Sequence, residues 1–199
     1  MFEKLNTTAF FDGLRTALNQ PISPTQMRSV YLILKQIDKH EITDRNQVAY
    51  ILATCWHECR FKSIREIRAK PGTRVWRMQN AYWSSGYMGR GFSQLTWLKN
   101  YRKFTPVVGV DLVRYPDKAL IPEIGAEILV FGMKNGSFTA AGLYSKNGLA
   151  KYFPPGGTPG TVNWIGARSI VNGNFQADKV ATAAVKILTV IVAHELPVT

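Results

Sequence analysis

Apolar residues recur at helical spacing in several stretches of the chain. Over 23–39, SPTQMRSVYLILKQIDK, the residues Met27, Val30, Tyr31, Leu34 and Ile37 form one stripe. Ser23 suits the N-cap before it and Pro24 the first helical position. Over 43–59, TDRNQVAYILATCWHEC, the apolar face is Val48, Ile51, Leu52, Cys55, Trp56 and Cys59. A start at Thr43 or Asp44, with Gln47 completing a capping box, fits this second helix. A third, PEIGAEILVFGMKNG, begins at Pro122, carries Glu123 at its positive end and stops at Gly136. A fourth runs from about Asp178 to His194. A weaker N-terminal helix carries Phe10, Phe11, Leu14 and Leu18.

Two stretches lack this period. Residues 68–93 hold Trp76, Tyr82, Trp83 and Tyr87 among basic residues and glycines, which predicts a small β-hairpin or irregular sheet. Residues 136–162 contain FPPGGTPG and predict a loop. No repeat and no long linker divides the chain. The expectation is one domain over 1–199 without a separate wall-binding domain, mainly α, with two helical lobes around a cleft.

Charge narrows the class of partner. The chain has 199 residues, 46% of them hydrophobic, and a formal net charge of +12. Such an excess predicts an anionic partner: a cell-wall polymer, anionic lipid or nucleic acid. Nucleic acid is the weaker reading, because the basic residues are scattered rather than gathered on one helix. The start MFEKLNTTAFF lacks the pattern of a secretory signal. The apolar segment 180–193 is broken by Lys186 and is shorter than the ~20 residues of a membrane span, so a core helix is expected. Cys55 and Cys59 share one helix face and read as buried free thiols.

Acids are scarce, and that draws attention to two of them. Between residues 45 and 110 the only carboxylates are Glu58 and Glu66. With Val48 at zero and 100° per residue, Glu58 falls at about 280°, beside Ile51 at about 300° and Thr54 at about 240°. It sits on the rim of the buried stripe, where a carboxylic acid is partly desolvated, as suits a general acid. The plain alternative is a helix-end charge paired with Lys62. If Glu58 and Glu66 share a cleft, the helix cannot run straight through both, since eight helical residues advance about 12 Å. It should end near residues 60–62, leaving Glu66 on a loop or strand. The plain alternative for Glu66 is an ion pair with Arg65 or Arg68. Zinc is disfavoured. HEC is not HExxH, Phe61 stands where the second histidine would fall, and His57 points away from both thiols. Phosphate-binding and dinucleotide-binding fingerprints are also missing.

The segment 86–101, GYMGRGFSQLTWLKNY, following HE at a helix end, resembles the family 19 glycoside hydrolases. It is most similar to the phage endolysins of that chitinase-like, lysozyme-like group. The likeness extends over most of the chain, through FFDGLRTALNQPISPTQMRSVYLIL, GVDLVRYPDKALIPEIGAEIL and ARSIVNG. It implies an α+β lysozyme-like fold and hydrolysis of β-1,4 bonds in peptidoglycan by the inverting route. It implies Glu58 as general acid, Glu66 as the base acting on water, and Thr96 as the hydroxyl that positions the water. Gln94 and Asn100 would line the sugar site, and Arg168 and Asn172 the distal cleft. Trp76 and Trp83 are candidates to stack on sugar faces, packing in the core being the alternative, and Tyr87 is a further candidate for substrate binding. The chain departs from the family pattern at Cys59, at Met88 and in the Pro/Gly loop at 153–160, which reads as an insertion in the cleft wall. The resemblance implies no metal or organic cofactor, a monomer, and peptidoglycan glycan strands as partner, with electrostatic contact to the anionic envelope. With no secretory signal pattern at its start, the chain is expected to be made in the host cytoplasm and released to the wall by another factor. The rival readings are a lytic transglycosylase, a chitinase, and a cationic protein that disrupts envelopes without catalysis.

Overall fold

Each of the five apolar periods is a helix in the computed structural model, which describes residues 7–158 and 160–194. The described chain is mainly helical. In order it contains α1 (Thr7–Leu18), α2 (Pro24–Lys39), α3 (Arg45–Cys59), β1 (Ile64–Arg65), α4 (Arg74–Gln79), β2 (Arg90–Gly91), α5 (Leu98–Val108), α6 (Pro122–Asn135), α7 (Leu149–Tyr152) and α8 (Ala177–Ala193). Short 3₁₀ turns lie at Trp83–Ser85, Pro116–Leu120 and Gly166–Ile170.

Local chemistry sets the helix ends. Ser23 caps α2 in a full capping box: its side chain accepts from the Gln26 N–H, and the Gln26 side chain accepts from the Ser23 N–H at 2.8 Å. Asp44 caps α3 by accepting from the Gln47 N–H at 2.9 Å. The reciprocal half of that box is not made; the Gln47 side chain donates instead to the Phe153 carbonyl at 2.9 Å. On α2 the expected stripe shifts slightly. Ile33 is buried, whereas Tyr31 is 47% exposed.

α3 is the central helix. It packs most extensively on α8, and Val48 through Trp56 are all buried. α8 buries Val180, Ala184, Ile187 and Ile191 against it, leaves Lys186 exposed, and thereby absorbs the apolar segment 180–193 into the core. Among the described residues no helix is long and apolar enough to cross a membrane. A smaller apolar cluster forms from Leu95, Tyr101, Phe104, Leu112, Ala119 and Ile128. α6 serves both clusters, giving Leu129 and Met133 to the large one and Ile128 to the small one.

The stretch 68–93 differs from expectation. Only its stem is β: β1 and β2 pair antiparallel, Ile64 opposite Gly91 and Arg65 opposite Arg90. The excursion between them folds into α4, capped by Thr73 at 3.2 Å to the Trp76 N–H, and a 3₁₀ turn. Six residues are too few to show a period, so aromatic content pointed to strand. Gly91 has φ 75°, and a Cβ there would stand 2.6 Å from the Ala119 carbonyl oxygen, so the strand can cross this turn only as glycine. α5 was not among the expected helices; it has no side-chain cap and contains Pro106. Within 136–162, α7 is pinned by the buried Leu149 and Tyr152.

Candidate active site

The end of α3 places Glu58. The helix stops at Cys59, and Arg60 (φ 53°) and Phe61 (φ 56°) both adopt the left-handed conformation. This reversal is held from several sides. The Arg60 N–H donates to the Trp56 carbonyl at 3.0 Å, and the Gln26 side chain donates to the Arg60 carbonyl at 2.8 Å. The fully buried Phe61 ring packs on Trp56 with centroids 5.3 Å apart.

A carboxylate in the last turn of a helix faces the negative end of the dipole. Arg168 offsets this: its Nη1 lies 2.6 Å from Glu58 Oε1, with the two side chains 1% and 14% exposed. The contact is one of opposite charges rather than an aligned hydrogen bond, since neither atom satisfies hydrogen-bond geometry with any group. Arg168 comes from the 3₁₀ turn after α7 and is fixed by donation from Nε to the Phe175 carbonyl at 3.0 Å. The alternative pairing of Glu58 with Lys62 is not found among the described residues, since α3 ends before Lys62.

Glu66 follows β1 directly and enters a cage of donors. Its Oε1 accepts from Gln79 Nε2 at 2.8 Å and from the Tyr82 hydroxyl at 2.7 Å, and its Oε2 from the Gly89 N–H at 2.9 Å. The Glu66 N–H donates to the Gly89 carbonyl at 2.8 Å, extending the two-stranded stem. A Cβ on Gly89 would meet Glu66 at 3.2 Å and Gln94 Oε1 at 2.9 Å, which gives the first glycine of GRG its role. Arg65 pairs with Asp117 at 2.6 Å, while Arg68 hydrogen-bonds Asn80 and lies over Trp83. Neither forms the ion pair that was the alternative for Glu66.

Both carboxylates line one open cleft of about 700 Å³. Gln94, Thr96, Asn100 and Asn172 line it too. The Thr96 hydroxyl donates to the Gln94 carbonyl at 2.8 Å, leaving its oxygen free to accept from a ligand or water. Asn100 donates to the Thr96 carbonyl at 2.9 Å, and its buried Oδ1 has no hydrogen-bond partner within the protein. Trp83, Tyr87 and Arg168, expected to meet substrate, are not part of the cleft lining. Trp83 carries the Arg68 guanidinium on its ring, 4.8 Å from the centroid. Tyr87 packs on Tyr101 and donates to the Val113 carbonyl at 3.0 Å, as part of the smaller core. Arg168 stands behind Glu58 rather than on the cleft wall. Among its described residues the Pro/Gly loop is not part of this wall: Pro155 and Gly156 border a separate hollow with Asp44 and Lys134.

Gln79 and Tyr82 reach Glu66 only through the fold of the excursion, and neither they nor Ser93, Lys99 and Thr139 in the lining were candidate site residues from sequence. Trp97, also in the lining, had a visible cue, its place beside Thr96 in QLTW.

Burial and charge act on the neighbours of the carboxylates. Burial, the hydrogen bond to Glu66 and that residue's charge push the Tyr82 phenol up, so it stays a donor. Cys55 and Cys59 are buried free thiols with sulfurs 3.7 Å apart, and burial raises Cys55 well above the ordinary thiol range. Among the described residues no group of three or more His, Cys, Asp or Glu side chains could hold a metal ion.

His57, next to Glu58, is held below the usual histidine range, by burial first and by the Arg168 charge second. Its neutral form is therefore favoured in the folded state, and the stability this gives is present above about pH 6.5 and lost as pH falls through the depressed value. Thermal melts between about pH 7 and 5 should show a decline that is shallower in His57→Gln. An identical slope in the variant would exclude His57 as its source.

No protein-family model and no curated protein matches the sequence.

Proposed function

We propose that the chain is a glycoside hydrolase acting on bacterial peptidoglycan, an endolysin with a lysozyme-like fold of the family 19 type. The observation that carries the proposal is the convergence of two carboxylates with unlike surroundings on one open cleft: Glu58 backed by a buried guanidinium, Glu66 caged by three neutral donors. Glycoside cleavage uses such a pair, one group protonating the leaving oxygen and the other acting on a water across the sugar. Glu58 is the acid in this reading. Glu66, its orientation fixed by Gln79, Tyr82 and Gly89, takes the proton of the attacking water. The Thr96 oxygen, its own hydrogen committed to Gln94, accepts a hydrogen bond from the water's other O–H, which turns a lone pair of the water toward the anomeric carbon. Arg168 positions Glu58 from behind. The product then has inverted configuration, which proton NMR of the first sugars released would report; retained configuration would overturn the assignment of Glu66 as base. Acting on the wall, the protein would reach its substrate with the help of another factor.

Lys99 favours peptidoglycan over chitin. It is exposed in the cleft lining and has no ion-pair partner among the described residues. Peptidoglycan presents lactyl and peptide carboxylates, whereas chitin presents none. Exposed charge pairs are worth at most about 1 kcal/mol, so Lys99→Gln should lower the rate on peptidoglycan up to about fivefold, less at high salt. Cleavage of neutral chitooligosaccharides should be unaffected. Equal losses on both substrates would remove this argument for peptidoglycan.

A further inference from the structure

Trp97 stands in the cleft wall 43% exposed, with its backbone at φ 74°, ψ 134°. That conformation is far from the left-handed helical well near φ 57°, ψ 47°. It has the largest φ of the seven described non-glycine residues with positive φ. For a bulky side chain this is an outlier that costs free energy and persists only where neighbouring contacts fix it. Here they do. The Trp97 N–H donates to the Tyr87 carbonyl at 2.9 Å, and the Trp97 carbonyl accepts from the N–H groups of Asn100 at 2.9 Å and Tyr101 at 3.2 Å. A glycine would make the same three bonds without strain.

The core does not account for the indole, since it belongs to neither apolar cluster. Its ring neighbour is Tyr82, in edge contact with centroids 5.2 Å apart, and the Tyr82 hydroxyl is the one that donates to Glu66. An open apolar ring surface thus stands one side chain away from a cleft carboxylate. The cleft is otherwise lined mainly by polar groups such as Gln94, Thr96, Asn100 and Asn172. A pyranose has matching chemistry: an apolar face of C–H groups and a polar rim of hydroxyl and acetamido groups.

We infer that Trp97 is the stacking platform for a sugar ring seated beside Glu66, kept in a strained backbone because that geometry turns the indole into the cleft. The inference rests on the reading of the cleft as a glycan site. Its test separates strain from binding. Trp97→Ala and Trp97→Gly both remove the indole, and only Ala keeps a Cβ at the strained position. Gly should therefore melt above Ala by roughly 2–6 °C, the reverse of the usual order. Calorimetric titration with a peptide-free fragment of alternating N-acetylglucosamine and N-acetylmuramic acid, in a Glu58→Gln background to prevent turnover, reads the binding. Loss of the platform should raise Kd about tenfold in Ala and Gly and less in Trp97→Phe. Should the truncated variants not fold, the wild-type indole N–H resonance that disappears in Trp97→Phe should be the one most shifted by the fragment.

Unchanged affinity, or an unshifted resonance, while the wild type still cleaves peptidoglycan would overturn the platform and leave the glycosidase reading intact. Equal melting of Ala and Gly would overturn the role of strain. A wild type that neither binds the fragment nor cleaves the polymer would remove both.

Discussion

Glu58→Gln is expected to lower the initial rate on purified peptidoglycan by at least 10²-fold, within the ~10²–10⁴ that general acid catalysis supplies. Without a proton from this side chain the leaving oxygen departs as an unstabilised alkoxide. The substitution should also lower stability. Arg168 is buried, with its Nη1 2.6 Å from Glu58 Oε1, and a glutamine can meet that guanidinium with its own N–H₂ group instead of an acceptor. A loss of about 1–3 kcal/mol in denaturant melts is expected, small enough to leave the variant folded for assay. Two comparators separate catalysis from general damage. Lys62→Ala, altering a side chain that makes no pair with Glu58, should leave lysis near the wild-type rate. Thr96→Ala, which removes an orienting hydroxyl and no proton transfer, should fall between. Lys62→Ala losing as much as Glu58→Gln would return Glu58 to the role of a surface charge.

Glu66→Gln is expected to lose on the order of 10²-fold, because the water then lacks its base. The cage makes its structural effect specific. Three donors converge on the carboxylate, and Gln79 cannot turn its amide freely because its Oε1 already accepts from the Ala69 N–H at 2.8 Å. A glutamine brings an N–H₂ group against at least one of these donors, at a cost of about 1–3 kcal/mol. Rates should therefore be compared below the melting range of both proteins. A Glu66→Gln variant that cleaves at the wild-type rate would remove Glu66 from the mechanism.

Much of this arrangement was legible in the chain. The long helices announced themselves by period and caps, and the scarcity of acids singled out Glu58 and Glu66. The need for both to face one space predicted the break in the helix, which falls at Arg60 and Phe61. What could not be read was set by tertiary contact. Arg168 was expected on the cleft wall, but its approach to Glu58 from behind depends on how the turn after α7 packs. The donors to Glu66 lie 13, 16 and 23 residues further along, in an excursion too short-stepped to show any period. Trp83 and Tyr87 were drawn to the sugar site by composition, yet one carries a guanidinium and the other completes a small core. An aromatic residue in a basic stretch does not disclose which face it presents. Trp97 shows the converse, since its strain exists only in the folded backbone.

Mass spectrometry of the fragments released from purified peptidoglycan by the wild-type protein, with Glu58→Gln as control, tests the central claim most directly. Hydrolysis adds one water to each broken β-1,4 bond, so the glycan fragments should end in reducing sugars, accumulate with the wild type and be nearly absent with Glu58→Gln. Fragments ending in a 1,6-anhydro sugar, or equal release by a folded Glu58→Gln, would contradict it.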